Sequence, residues 1–103
     1  MIIIGRKKLI EFSKRHSLSR VSLSSWETII TETNYSGFNA LKLTFPSVDY
    51  VYHRYTIFDI SGNKYRLITE IDYPTNVVHI KIIWTHAEYS MKKNQDALRR
   101  GKL

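Results

Sequence analysis

Apolar residues along this chain follow two different periods. From Arg6 to His16 they fall at Leu9 and Phe12, with Ile10 beside them, while Lys7, Lys8, Glu11, Lys14 and Arg15 fill the other positions, which predicts an amphipathic helix. A second helix is predicted over Leu18 to Asn34, with an inward stripe of Leu23, Trp26, Ile29, Ile30 and Thr33 and an end at Asn34, Ser36 and Gly37. Its start is open between a cap at Ser17 or Ser19 and the capping-box spacing of Ser24-Ser25-Trp26-Glu27. Asn39 to Leu43 reads as a helical turn closed by Pro46, and Asp49 to His53 leads into a sheet.

From Arg54 to Tyr89 the period becomes two, and three consecutive antiparallel strands are predicted. Ser61-Gly62 reads as a two-residue hairpin and Tyr73-Pro74-Thr75-Asn76 as the next turn. Pairing Asp72 with Val77 sets Glu70 opposite His79 and Ile68 opposite Lys81. One face then carries Arg66, Glu70, His79 and Lys81, a floor suited to anions, and the other carries Tyr65, Leu67, Ile71, Val78, Ile80, Ile82 and Trp84. Met1 to Gly5 adds a short strand, and Glu88 to Leu98 a final helix with a frayed end at Arg99 to Lys102. The expected class is α+β, with two N-terminal helices packed on one face of a small antiparallel sheet and a short C-terminal helix.

A length of 103 residues suits one domain with a single core, spanning 1–103, in which 92–103 reads as a basic, partly flexible tail. With no cysteine, disulfides and thiolate chemistry are excluded, which fits a cytoplasmic protein. No apolar run approaches the roughly 18 residues a membrane span needs, so no span is expected. Charge adds a further constraint: 16 Lys and Arg against 9 Asp and Glu give +7, the balance of a domain that binds phosphate backbones, anionic membrane surfaces or acidic proteins; with no continuous apolar helix face opposite the basic residues, a membrane is the weakest of these and no membrane partner is expected.

The four glycines are scattered and form no nucleotide loop, and His16, His53, His79 and His86 lack metal-ligand spacing, so neither cofactor nor metal is expected. Tyrosines interleaved with cations suit stacking on single-stranded RNA, although Tyr50, Tyr52, Tyr55 and Tyr65 are also good strand formers. Arg66, flanked by Tyr65 and Leu67 in mid-strand, is either solvated, paired with Glu70, or used on an anion. On a helical turn His86 and Tyr89 share a side and could reach one phosphate, and Thr85-His86 also reads as a plain helix start.

Leu41-Lys42, Phe45-Pro46-Ser47 followed by Asp49, Gly62-Asn63-Lys64-Tyr65-Arg66-Leu67-Ile68 and Thr85-His86-Ala87-Glu88-Tyr89 together resemble the HigB family of type II toxin–antitoxin systems, within the RelE-like superfamily. Trp26, ten residues after His16, also falls where such sequences place it, and the resemblance runs from the first strand to Tyr89. It implies a small RelE-like fold and an mRNA interferase. Such an enzyme cuts mRNA on the translating ribosome by metal-free 2′-hydroxyl attack and is silenced by a cognate HigA-like antitoxin.

Residue by residue, the resemblance makes Arg66 a phosphate clamp and places His86 and Tyr89 at the Thr-His-x-x-Tyr positions. Lys64 adds charge in the same motif. Lys81, Lys92, Lys93, Arg99 and Arg100 complete the expected RNA contacts, the stretch from Lys92 to Lys102 carrying five basic residues against one acid. Two departures leave the general base open: Asp59 stands where such sequences often have asparagine, and Ser90 follows Tyr89 where many carry aspartate. Competing readings are a non-catalytic small basic RNA- or DNA-binding protein, and a degenerate toxin that only binds its antitoxin.

Overall fold

In the computed structural model, which describes residues 1–103, the chain forms β1 (Ile2–Ile4), α1 (Arg6–Arg15), a 3-10 turn (Ser17–Ser19), α2 (Arg20–Glu32), α3 (Phe38–Thr44), β2 (Asp49–Val51), β3 (Tyr55–Ile60), β4 (Tyr65–Asp72), β5 (Val77–Thr85), α4 (His86–Ser90) and α5 (Lys92–Arg99). One sheet joins the strands in the order β1-β5-β4-β3-β2. The three-stranded meander expected from the period-two stretch is β3-β4-β5, antiparallel throughout. The α+β class is as read from the sequence, but the sheet is mixed: β1 runs parallel to β5, pairing Ile2–Ile4 with Val77–His79. Gly5 makes the exit from β1 possible. It sits at φ +93, where a side chain is strained, and a Cβ there would lie 3.1 Å from the Ile80 carbonyl oxygen.

Helices α1 and α2 cover one face of the sheet. Leu9 and Phe12 of α1 and Leu23, Trp26 and Ile30 of α2 pack with Leu41, Phe58, Ile60, Leu67, Val78, Ile80 and Ile83 in the main core. Ile10 and Ile29, placed inward by periodicity, are exposed at 40% and 39%, because each helix meets the sheet along a narrower stripe. No serine side chain caps α2; it grows out of the 3-10 turn, where the Ser19 hydroxyl donates instead to the His16 carbonyl at 2.6 Å. The helix ends at Glu32, before the predicted Asn34.

The opposite face has its own small core of Tyr55, Ile57, Ile68, Trp84 and Leu98, roofed by α4 and α5. Two turn details differ from expectation. The first hairpin closes by Ile60↔Tyr65, so its loop is the four residues Ser61–Lys64, with Ser61 and Gly62 both at positive φ. In the second hairpin Asp72↔Val77 and Glu70↔His79 pair as expected, but the register then shifts, with Thr69↔Ile80 followed by Ile68↔Ile82. Lys81 is therefore the extra residue of a β-bulge and has no partner at Ile68. The slip exchanges the two faces beyond it. Ile82 and Trp84 turn to the Arg66 side, and Ile83 takes the place in the main core.

The C-terminal end is also more tightly held than a frayed tail. Leu98 is 1% exposed, Gly101 donates to the Leu98 carbonyl at 3.1 Å and Lys102 to that of Ala97 at 2.9 Å, and the Leu103 amide donates to the Tyr55 hydroxyl at 3.3 Å. The cause is apolar: Leu98 completes a core that the sheet alone leaves open.

Candidate active site

Arg66 is not in mid-strand but the second residue of β4, the central strand of the sheet, on the face that the bulge has enriched, with its side chain only 11% exposed. Each side of its guanidinium has a partner. Across the first hairpin Asp59 pairs with Arg66 in register and its Oδ1 lies 3.1 Å from Arg66 Nε. In the hairpin loop the Asn63 side-chain oxygen accepts from the guanidinium, and the Asn63 and Tyr65 carbonyls accept at 3.3 Å each. Above it the Tyr89 ring lies 5.4 Å from the guanidinium carbon, a cation–π distance. The Glu70 partner weighed for Arg66 is engaged elsewhere: Glu70 binds Arg54 at 2.9 Å and Lys81 at 3.7 Å. Glu70 accepts a hydrogen bond from Arg54 and attracts its charge, which raises the Arg54 guanidinium above its ordinary value.

The Thr85-His86-Ala87-Glu88-Tyr89 stretch is both a helix start and part of this site. Thr85 Oγ1 accepts from the Glu88 amide at 3.1 Å and the Glu88 carboxylate accepts from the Thr85 amide at 2.9 Å, a complete capping box. His86 is exposed at the first position of α4, and its amide donates to the Lys64 carbonyl at 2.8 Å, which ties α4 to the hairpin loop. One turn on, Tyr89 reaches back over Arg66, with its ring 6.4 Å from that of Trp84, the β5 partner of Arg66. Side chains from α5 fix the end of this short helix: Asn94 donates to the Glu88 carbonyl at 2.7 Å and Gln95 to that of Tyr89.

The fold thus gathers Arg66, Tyr89, His86 and Lys64 at one end of the sheet. Lys92 and Lys93 follow directly at the exposed start of α5. Lys81 stands further along the same face, bound to Glu70. Arg99, paired with Asp96 at 3.1 Å, and Arg100 lie at the far end of α5, about 10 Å on at 1.5 Å per residue, and are not brought to Arg66. No three His, Asp or Glu side chains converge as a metal site would require.

Asp59 is the site residue that the sequence reading missed in this role. A two-residue loop puts Asp59 opposite Lys64; the four-residue loop puts it opposite Arg66. Beside Asp59 the surface opens into a hollow of about 280 Å³ between α2 and β3, walled by Val21, Trp26, Ile29, Phe45 and Ile60.

Chemically, a fixed guanidinium flanked by a carboxylate and a phenol, with an exposed histidine on the adjoining helix start, can hold a phosphodiester and move protons around it. The chain as a whole is similar to known proteins. The chain is 29% identical over 91 residues to an mRNA interferase HigB of Escherichia coli, covering 86% of this chain and 88% of that protein. It is 23% identical over 91 residues to an mRNA interferase HigB of Shigella flexneri, with the same shares of the two chains. The profile of the HigB toxin family matches residues 19–92, which include every residue of the Arg66 cluster from Asp59 to Lys92. The chain belongs to the HigB toxin family, the RelE-like toxic components of toxin–antitoxin systems.

Proposed function

We propose that this toxin is an mRNA interferase: a ribosome-associated, cytoplasmic endoribonuclease that cleaves mRNA by metal-free attack of a 2′-hydroxyl on the adjacent phosphate. In this reading Arg66 holds the negative charge that builds on the phosphate, His86 transfers a proton, and Tyr89 stacks on a base or on Arg66. Lys64, Lys81, Lys92 and Lys93 extend the positive path for the RNA, with Arg99 and Arg100 on its periphery. The HigB relatives named as mRNA interferases support the reaction class. The observation that carries the assignment to residues is the Arg66 guanidinium, fixed by Asp59 and Asn63 under the Tyr89 ring beside the His86 turn. A HigA-like antitoxin neutralises it, either by covering the Arg66 face or by blocking ribosome entry.

The test is induction of the gene in a bacterial host with and without the neighbouring reading frame, with mRNA ends mapped during induction. Growth arrest with new mRNA ends, both relieved by the neighbour, is the expected result. Indifference to induction returns the chain to a non-catalytic binding role.

A further inference from the structure

We infer that Asp59 is the general base of this cleavage, dividing the proton transfers with His86 across the Arg66 guanidinium; the inference rests on the ribonuclease reading proposed above. Asp59, Arg66 and Trp84 form a row across β3, β4 and β5, in register and on one face of the sheet. Neighbouring strands lie about 4.8 Å apart, so Asp59 occupies one flank of Arg66 and Trp84, whose strand leads directly into the His86 turn, occupies the other. Displacement at phosphorus runs roughly in line, with attacking and leaving oxygens on opposite sides. A base on one flank and an acid on the other match that requirement.

The Asp59 side chain is suited to the role in two ways. One carboxylate oxygen is held 3.1 Å from Arg66 Nε, which leaves the second oxygen free to accept a proton. The side chain keeps 31% exposure, so an RNA hydroxyl can reach it. A bound phosphate takes over the guanidinium hydrogens that point to Asn63, an exposed loop residue, while the Nε contact to Asp59 remains.

The step balances as follows. The 2′-oxygen bonds to phosphorus and gives its proton to Asp59, the phosphorus–O5′ bond breaks, and O5′ leaves with the proton of the His86 imidazolium. The products are a 2′,3′-cyclic phosphate and a 5′-hydroxyl, and both side chains then exchange protons with water.

The competing role for Asp59 is a plain ion pair that keeps Arg66 in place, and Asp59→Asn separates the two because its amide keeps the size and polarity of the side chain beside Arg66 but cannot take a proton. Full-length protein is assayed for single-turnover cleavage of a 5′-labelled mRNA in a translating bacterial extract across pH, and for binding to a 2′-O-methyl oligoribonucleotide. A loss on the order of 10²-fold or more in rate, with binding unchanged or tighter and the acidic limb of the pH–rate profile gone, is expected. A wild-type rate overturns the inference, and so does a parallel loss of rate and binding with the acidic limb intact. Should Asp59→Asn fail to fold, Asp59→Glu decides: an acidic limb shifted by the longer carboxylate supports the base, and an unmoved limb overturns it. Wild-type protein that cuts no mRNA overturns the ribonuclease reading itself, a result distinct from failure at Asp59 alone.

Discussion

Leu98→Ala tests whether the last helix is part of the fold and of the site. Leu98 is 1% exposed and packs with Tyr55, Ile57, Ile68 and Trp84, all of them rigid strand residues that have little freedom to collapse into a void. A leucine-to-alanine change in such a setting costs about 2–5 kcal/mol, the transfer of the lost methyl groups plus the cavity left behind. Domains of this size have about 5–15 kcal/mol in total, so the loss is a large fraction. Urea unfolding followed by tryptophan fluorescence is the assay, with the midpoint falling and the slope m unchanged. A second consequence is functional: α5 also holds the carbonyls of Glu88 and Tyr89 through Asn94 and Gln95, so removing residues 92–103 is expected to unfix Tyr89 as well as to open the core. A Leu98→Ala loss below about 1 kcal/mol refutes the reasoning and returns the segment to a peripheral tail.

Three further outcomes are expected. Tyr89→Phe keeps the ring 5.4 Å from the Arg66 guanidinium and should cleave within about threefold of wild type, whereas Tyr89→Ala removes the cation–π contact and falls further; equal losses in the two variants would point to the hydroxyl. Burial raises the Tyr73 phenol above its ordinary pKa of about 10, so above that pH the unfolded chain sheds a proton that the folded one keeps, and stability falls as pH rises. Tyr73→Phe should remove that part of the alkaline decline in urea midpoint, and an identical decline in the variant contradicts the assignment. Affinity for single-stranded RNA should drop as salt rises, and Lys92→Ala combined with Lys93→Ala should flatten the log–log slope by about 1.4, or 0.7 for each lost phosphate contact; an unchanged slope makes both lysines bystanders.

Strand order in the meander and the two N-terminal helices were legible because each depends on local period and spacing, whereas Arg66, His86 and Tyr89 were grouped only by their resemblance to HigB motifs. What depends on counting residues through a loop or a bulge was not legible. An extra residue at Lys81 carries no mark in the sequence, yet it moves Trp84 from the main core to the face beneath Tyr89. Reading Ser61-Gly62 as the whole turn displaced Asp59 by two positions and hid its pairing with Arg66. The docking of α5 depends on one leucine filling a gap between Tyr55 and Trp84, a tertiary fact that a basic, weakly apolar segment does not advertise.

The central claim is that this cluster cuts RNA, and it is tested most directly by the mRNA cleavage rate of Arg66→Ala and His86→Ala beside wild type, with Glu70→Ala and His79→Ala as controls on the same sheet face. Arg66 and His86 variants that melt like wild type should each lose on the order of 10²-fold or more, while the controls keep their rate. A folded His86→Ala that cleaves as fast as wild type contradicts the proton-transfer assignment, and a folded Arg66→Ala that does so contradicts the site.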